Sequence, residues 1–145
     1  MEEIQQLEHY KKIISDNDIR LTSQRQVILD VLFSNRKSHL TVKEIWAESK
    51  KILPKIGSPT VYRTVSQFER IGLLYKLAVS ANCYKYQLHE DNKEHKHFIC
   101  TQCGSITDVF LSETDTSENQ IENKYHVWIE NQNIIYYGLC GQCFC

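Results

Sequence analysis

The apolar positions of this chain follow two rhythms. Through residue 71 they recur at helical spacing. Ile4, Leu7, Tyr10, Ile13 and Ile14 line one side of a polar helix over residues 4–16, which Asn17 and Asp18 break. Thr22 suits an N-cap, and Val27, Ile28, Val31 and Leu32 carry the stripe of a second helix over residues 25–33. Thr41 with Glu44 three residues on forms a capping box for a third helix, whose apolar face runs from Val42, Ile45 and Trp46 toward Ile52 and Leu53. Pro54 ends it and Gly57 bends the chain. Ser58 then serves as N-cap and Pro59 as first residue of a fourth helix, with Val61, Val65, Phe68 and Ile71 inward and Gly72 as its stop. From there the period drops to two. Residues 73–79 and 83–88, joined by Ser80-Ala81-Asn82, read as a β-hairpin.

Helices followed by a hairpin predict a winged helix-turn-helix, with the fourth helix in the major groove and the hairpin as wing. A small α+β domain that binds nothing has the same pattern. After residues 90–94, a polar hinge, residues 97–100 and 106–110 read as strands, 112–125 as a polar helix and 132–139 as a strand rich in Ile and Tyr. The expected fold class is α+β, with domains at 1–89 and 95–145. The second is short of large apolar side chains, so a structural metal or a partner subunit must supply stability.

Composition narrows the picture only a little. The chain has 145 residues, 41% apolar and 24% charged, with a net charge of −1. A neutral total neither announces nor excludes nucleic acid, because a local basic face hides inside it. No apolar run approaches the ~20 residues of a membrane span. The first residues lack the basic-then-apolar order of a signal peptide. A cytoplasmic protein without membrane partners is expected, and there cysteines stay reduced.

The cysteines matter more. Four of the six form Cys-x-x-Cys pairs, Cys100/Cys103 and Cys140/Cys143. Four thiolates in two such pairs fit a closed tetrahedral Zn2+ site, against disulfides as the alternative. The interval between the pairs is longer than in a compact zinc ribbon, so the fold must bring them together. Cys83 in the wing suits packing, and Cys145 is expected to be free. His95 and His97 alternate from one strand face and begin a second metal site. On the fourth helix, Thr60, Arg63, Thr64 and Gln67 share a polar face with Tyr62 beside them, against a merely solvated face as the bland alternative. Arginine and glutamine read base edges, hydroxyls hold phosphates, and the helix start at Ser58 attracts a phosphate.

The segments Leu21-Thr-Ser-Gln-Arg25, His39-Leu-Thr-Val-Lys-Glu-Ile45, Ser58-Pro-Thr-Val-Tyr-Arg63, Gln67-Phe-Glu-Arg-Ile-Gly-Leu73 and His95-Lys-His-Phe-Ile-Cys-Thr-Gln-Cys-Gly104 resemble the ferric uptake regulator family, in that family's order, over roughly residues 10 to 143. The resemblance implies a homodimeric, metal-dependent repressor of double-stranded DNA with AT-rich palindromic operators. It implies a winged-helix domain followed by an α/β dimerisation domain. Tyr62 and Arg63 would contact bases and Arg20 would reach the minor groove. Cys100, Cys103, Cys140 and Cys143 would hold structural zinc. His39, His95, His97 and Asp108 would hold a regulatory Fe2+ or Mn2+, or alternatively Zn2+. The family places a further carboxylate just past the wing. The aligned residue here is Gln87, a weak ligand, while an ungapped count back from His95 reaches His89, a good one; His89 is expected to ligate. Lys96 and Gln132 replace acidic and histidine positions of a third site, which is expected to be lost. Asp108 in place of Glu is associated with the peroxide-sensing branch, in which Fe2+ with hydrogen peroxide oxidises a ligand histidine, here His39 or His95. Iron or zinc sensing is the alternative. A small metalloenzyme or a zinc-stabilised interaction module is the alternative from another class, and the missing Glu general base speaks against the enzyme.

Overall fold

A computed structural model describes residues 1–90, 95–110, 117–129 and 133–144, with only the backbone at Ser117 and Glu118. The chain divides into two compact units, Met1–His89 and Glu90–Cys145.

In the first unit, α1 (Glu2–Asp16), α2 (Ser23–Ser34), α3 (Val42–Ile52) and α4 (Ser58–Arg70) precede the hairpin of β1 (Leu74–Ser80) and β2 (Cys83–Leu88). The ends are set by local chemistry. Thr22 accepts a bond from Arg25 N, and Thr41 and Glu44 exchange both bonds of the capping box. Two helices end in the same way. Asp18 (φ 58°) after α1 and Gly72 (φ 78°) after α4 take left-handed backbone. Each is followed by a residue whose N–H reaches back five positions, Ile19 to Ile14 O at 3.2 Å and Leu73 to Phe68 O at 2.9 Å. At the start of α4 the expectation shifts by one: Gly57 is the N-cap and Ser58 is already helical, with no side-chain cap bond.

The helical stripes meet in one core of Ile14, Ile28, Leu29, Ile45, Val61, Val65 and Phe68, closed by Leu74 and Leu88 of the hairpin. Each such side chain contributes about 1.5–3 kcal/mol by leaving water. Leu40, just ahead of α3, pairs with Tyr86 and so fastens β2 to the helices.

The second unit has β3 (Lys96–Cys100), β4 (Ile106–Val109), α5 (Ser117–Tyr125), β5 (Ile135–Gly138) and the short α6 (Gly141–Phe144). The sheet order is β4-β3-β5, with β4 antiparallel and β5 parallel to β3. Gly104 takes the tight turn behind β3 (φ 73°), and Gly141 opens α6, a helix absent from the sequence pattern. Residues 112–116 and 132, expected in α5 and β5, lie outside the described residues. Few described side chains are buried in this unit: His97, Ile99 and Cys100 are, whereas Trp128, Tyr137 and Phe144 are exposed.

Candidate metal centres and nucleic-acid interface

The four paired cysteines converge. Cys100 ends β3, Cys103 lies in the turn behind it, Cys140 follows β5 and Cys143 sits in α6. The parallel register sets Cys100 beside Gly138, and Thr101 N donates to Gly138 O at 2.8 Å. A Cβ on Gly138 would come within 3.3 Å of the Phe98 ring, so glycine permits this approach. The four Sγ atoms lie within 4.8 Å of one another, with Cys103 and Cys140 at 3.8 Å. Tetrahedral Zn–S bonds of ~2.3 Å put sulfurs about 3.8 Å apart, so the donor set fits zinc. Zinc would cross-link the ends of two strands there. The described cysteines are free thiols. Cys83 lies in the first unit, at the start of β2, and Cys145 lies outside the described residues.

The surroundings of the sulfurs are unequal. Cys103 N and Cys140 N point at Cys100 Sγ from 3.5 and 3.4 Å. Their two N–H dipoles stabilise a thiolate and lower the Cys100 pKa to about 6. The Cys143 backbone lowers Cys140 likewise. The hydrogen bond between the Cys143 thiol and the Cys140 side chain, then burial, pushes Cys143 up to about 12. Four sulfurs this close do not all ionise without a cation. Ser105 Oγ, 3.1 Å from Cys103 Sγ, is a further neighbour that the Cys-x-x-Cys spacing does not reveal.

A second cluster forms on the same sheet. His97 and Asp108 are cross-strand partners of β3 and β4. His95 Nε2 lies 3.0 Å from His97 Nε2, and Asp108 Oδ1 lies 3.7 and 3.5 Å from the two imidazoles. Ligands about 2.1 Å from one ion stand about 3.0–3.5 Å apart, so these three donors fit a divalent metal. His97 is buried, the His95 side chain is nearly covered, and Asp108 is half-buried. The other two regulatory candidates belong to the first unit. His39, half-buried, directly precedes Leu40. His89 follows β2; its N–H donates to Leu73 O at 2.8 Å and its ring stacks on Tyr75 at 4.3 Å. Gln87 is buried, and its Nε2 donates to Arg36 O at 3.2 Å. Of the third-site positions, Lys96 lies in β3 and Gln132 lies outside the described residues.

On α4, Tyr62, Arg63, Ser66, Gln67 and Arg70 line one open groove of about 300 Å³. Tyr62 is half exposed, and Gln67 Oε1 finds no donor among the described residues. Thr64 corrects the expectation: it is 2% exposed, and its hydroxyl donates to Thr60 O at 2.8 Å. Its place is on the buried side, and Ser66, which the sequence pattern passed over, stands on the open face instead. Ser58 and Thr60 are half-buried at the helix start, and Arg20 is exposed ahead of α2. The wing is close by. Burial first, then Glu69, Tyr84 and Tyr62, raises the Tyr86 pKa.

A winged helix with an arginine-bearing groove on its fourth helix, joined to a unit with two sets of metal donors, is the build of a metal-dependent DNA-binding regulator. The sequence profile of the ferric uptake regulator family matches residues 16–137, and the chain belongs to that family. It is 30% identical to the ferric uptake regulation protein of Campylobacter upsaliensis over 94% of this chain and 88% of that one. It is also 30% identical to the peroxide-responsive repressor PerR of Staphylococcus saprophyticus, over 95% and 91%. The iron-containing ferric uptake regulator of Francisella tularensis superimposes with a TM-score of 0.70 at 25% identity, over 87% and 95%. Members of the family are dimeric, DNA-binding transcription regulators, not enzymes.

Proposed function

We propose that this protein represses transcription from AT-rich palindromic operators while an exchangeable Fe2+ is bound, and that hydrogen peroxide is its signal. His39, His89, His95, His97 and Asp108 supply the donors for that ion, with Mn2+ as a substitute. Zn2+ in the cysteine tetrad is the permanent ion. Tyr62, Arg63 and Gln67, with Arg20 ahead of α2, read the operator, while Ser58 and Thr60 hold phosphates. The homodimer works in the cytoplasm, and its domains divide at the hinge over residues 90–94.

The observation that carries this is the His95, His97 and Asp108 cluster, whose donors stand at the spacing one divalent ion requires. A bound Fe2+ would supply the first electron that opens the peroxide O–O bond; the imidazole that is oxidised supplies the balance, one peroxide oxygen ending on its ring and the other leaving as water. The chain's part is to hold the His39 and His95 rings where one of them takes up an oxygen atom. Loss of a ligand then releases the operator. The ferric uptake names among the relatives favour a second reading, an iron-responsive repressor without peroxide chemistry. Mass spectrometry of Fe2+-loaded protein after peroxide treatment separates the two. One added oxygen on His39 or His95, with loss of the operator gel shift, is expected. Unmodified histidines would leave iron sensing in its place.

A further inference from the structure

We propose that Gln87 is a positioning residue for His39, so that β2 of the wing sets where this regulatory donor stands. The proposal rests on His39 being a ligand of the exchangeable ion.

His39 lies in the short crossing from α2 to α3, a segment with turn bonds from Arg36 N to Phe33 O (3.2 Å) and Ser38 N to Asn35 O (2.8 Å). β2 grips this crossing at two points. Ahead of His39, Gln87 Nε2 donates to Arg36 O. Behind it, Leu40 and Tyr86 exchange both backbone bonds, at 3.0 and 2.7 Å. His39 is therefore suspended between two fastenings on a single strand. Carrying the antiparallel pairing one residue past Leu40 and Tyr86 sets His39 across from Gln87.

The first fastening is firm on both sides. Arg36 Nη1 donates to Phe33 O at 3.0 Å, its guanidinium covers the Phe33 ring at 4.5 Å, and Nη2 pairs with Glu3 at 2.7 Å. Gln87 is 5% exposed and faces the buried Tyr75 directly across the hairpin. Its amide has little room to turn away, and a part-buried carbonyl that loses its donor is left unsatisfied at a cost. A carboxylate at this position has no proton to give Arg36 O. Glutamine thus fixes the shape of the donor's loop where a carboxylate would add a donor, and the wing-end ligand falls to His89.

The test is Mn2+ titration of the full-length, zinc-loaded protein as wild type, Gln87→Met, His39→Ala and the double variant. Methionine keeps the length and packing and removes the amide. Gln87→Met should weaken Mn2+ binding about tenfold when His39 is present and change it less than about twofold when His39 is Ala. Zinc content should not move. In the metal-free protein, Leu40 and Tyr86 amides should exchange faster in Gln87→Met than in wild type. If Gln87→Met is unfolded, Gln87→Asn, which keeps the amide but shortens its reach, carries the same comparison. Equal loss in both backgrounds would make Gln87 itself a ligand, and no loss in either would leave it idle; each overturns the proposal. Full Mn2+ affinity in His39→Ala alone would instead remove His39 from the centre, a failure of the ligand assignment that this single variant identifies.

Discussion

Arg63 and Thr64 are neighbours on α4 with opposite prospects. Arg63→Ala should weaken operator binding by about 1–3 kcal/mol in fluorescence anisotropy, with zinc content unchanged. Thr64→Val should leave operator affinity alone, because the hydroxyl it removes is already spent on Thr60 O. The polar type of Thr64 hides its place: it stands three residues after Val61 and four before Phe68, on the buried stripe of α4, and its bond back to Thr60 O satisfies the hydroxyl there. Ser66 was invisible for the mirror reason, as a small residue without a charge to mark its face. The thiols give a residue-scale prediction of their own. Cys100 and Cys140 have pKa values depressed on folding, so the stability they lend the metal-free tetrad is complete above about pH 9. For Cys100 it is lost as pH falls through about 6. Cys143, raised to about 12, acts in the opposite sense and only above pH 9. Melting of the metal-free second unit should therefore move to lower temperature between pH 9 and 6, and the trend should be weaker in Cys100→Ser.

Among the elements, α3 has the best-defined beginning. Thr41→Ala removes half of its capping box and should cost about 0.5–2 kcal/mol in urea unfolding. α2 and α3 were legible in the sequence because a cap and an apolar stripe are local facts about adjacent residues. The hairpin was legible for the same reason. The β4-β3-β5 order was not, since parallel pairing joins strands far apart in the chain and leaves no mark on either. α6 escaped notice because four residues cannot show a helical period. The cysteine tetrad was legible from spacing and chemistry. Asp108 entered by resemblance, and its register with His97 is what the sheet adds.

At the scale of the molecule, the two units differ in what holds them. Met1–His89 encloses a continuous apolar core, whereas among the described residues of Glu90–Cys145 few side chains are buried apart from those at its metal-donor clusters. Stripping zinc with a strong chelator should therefore lower the second unit's stability and speed the hydrogen exchange of β3 and β5 amides, while exchange in α2 to α4 is unchanged. Loss of protection in both units together would show that the first unit depends on the ion as well.

The tetrad also dictates an order of events during biosynthesis. Cys100 and Cys103 leave the ribosome well ahead of Cys140 and Cys143, and two sulfurs alone make a poor cage for the ion. Capture must wait until β5 has been made and has docked alongside β3, a closure over a long stretch of nascent chain. A chain stalled before Cys143 carries an incomplete clasp, so a filled tetrad certifies that the second unit was finished.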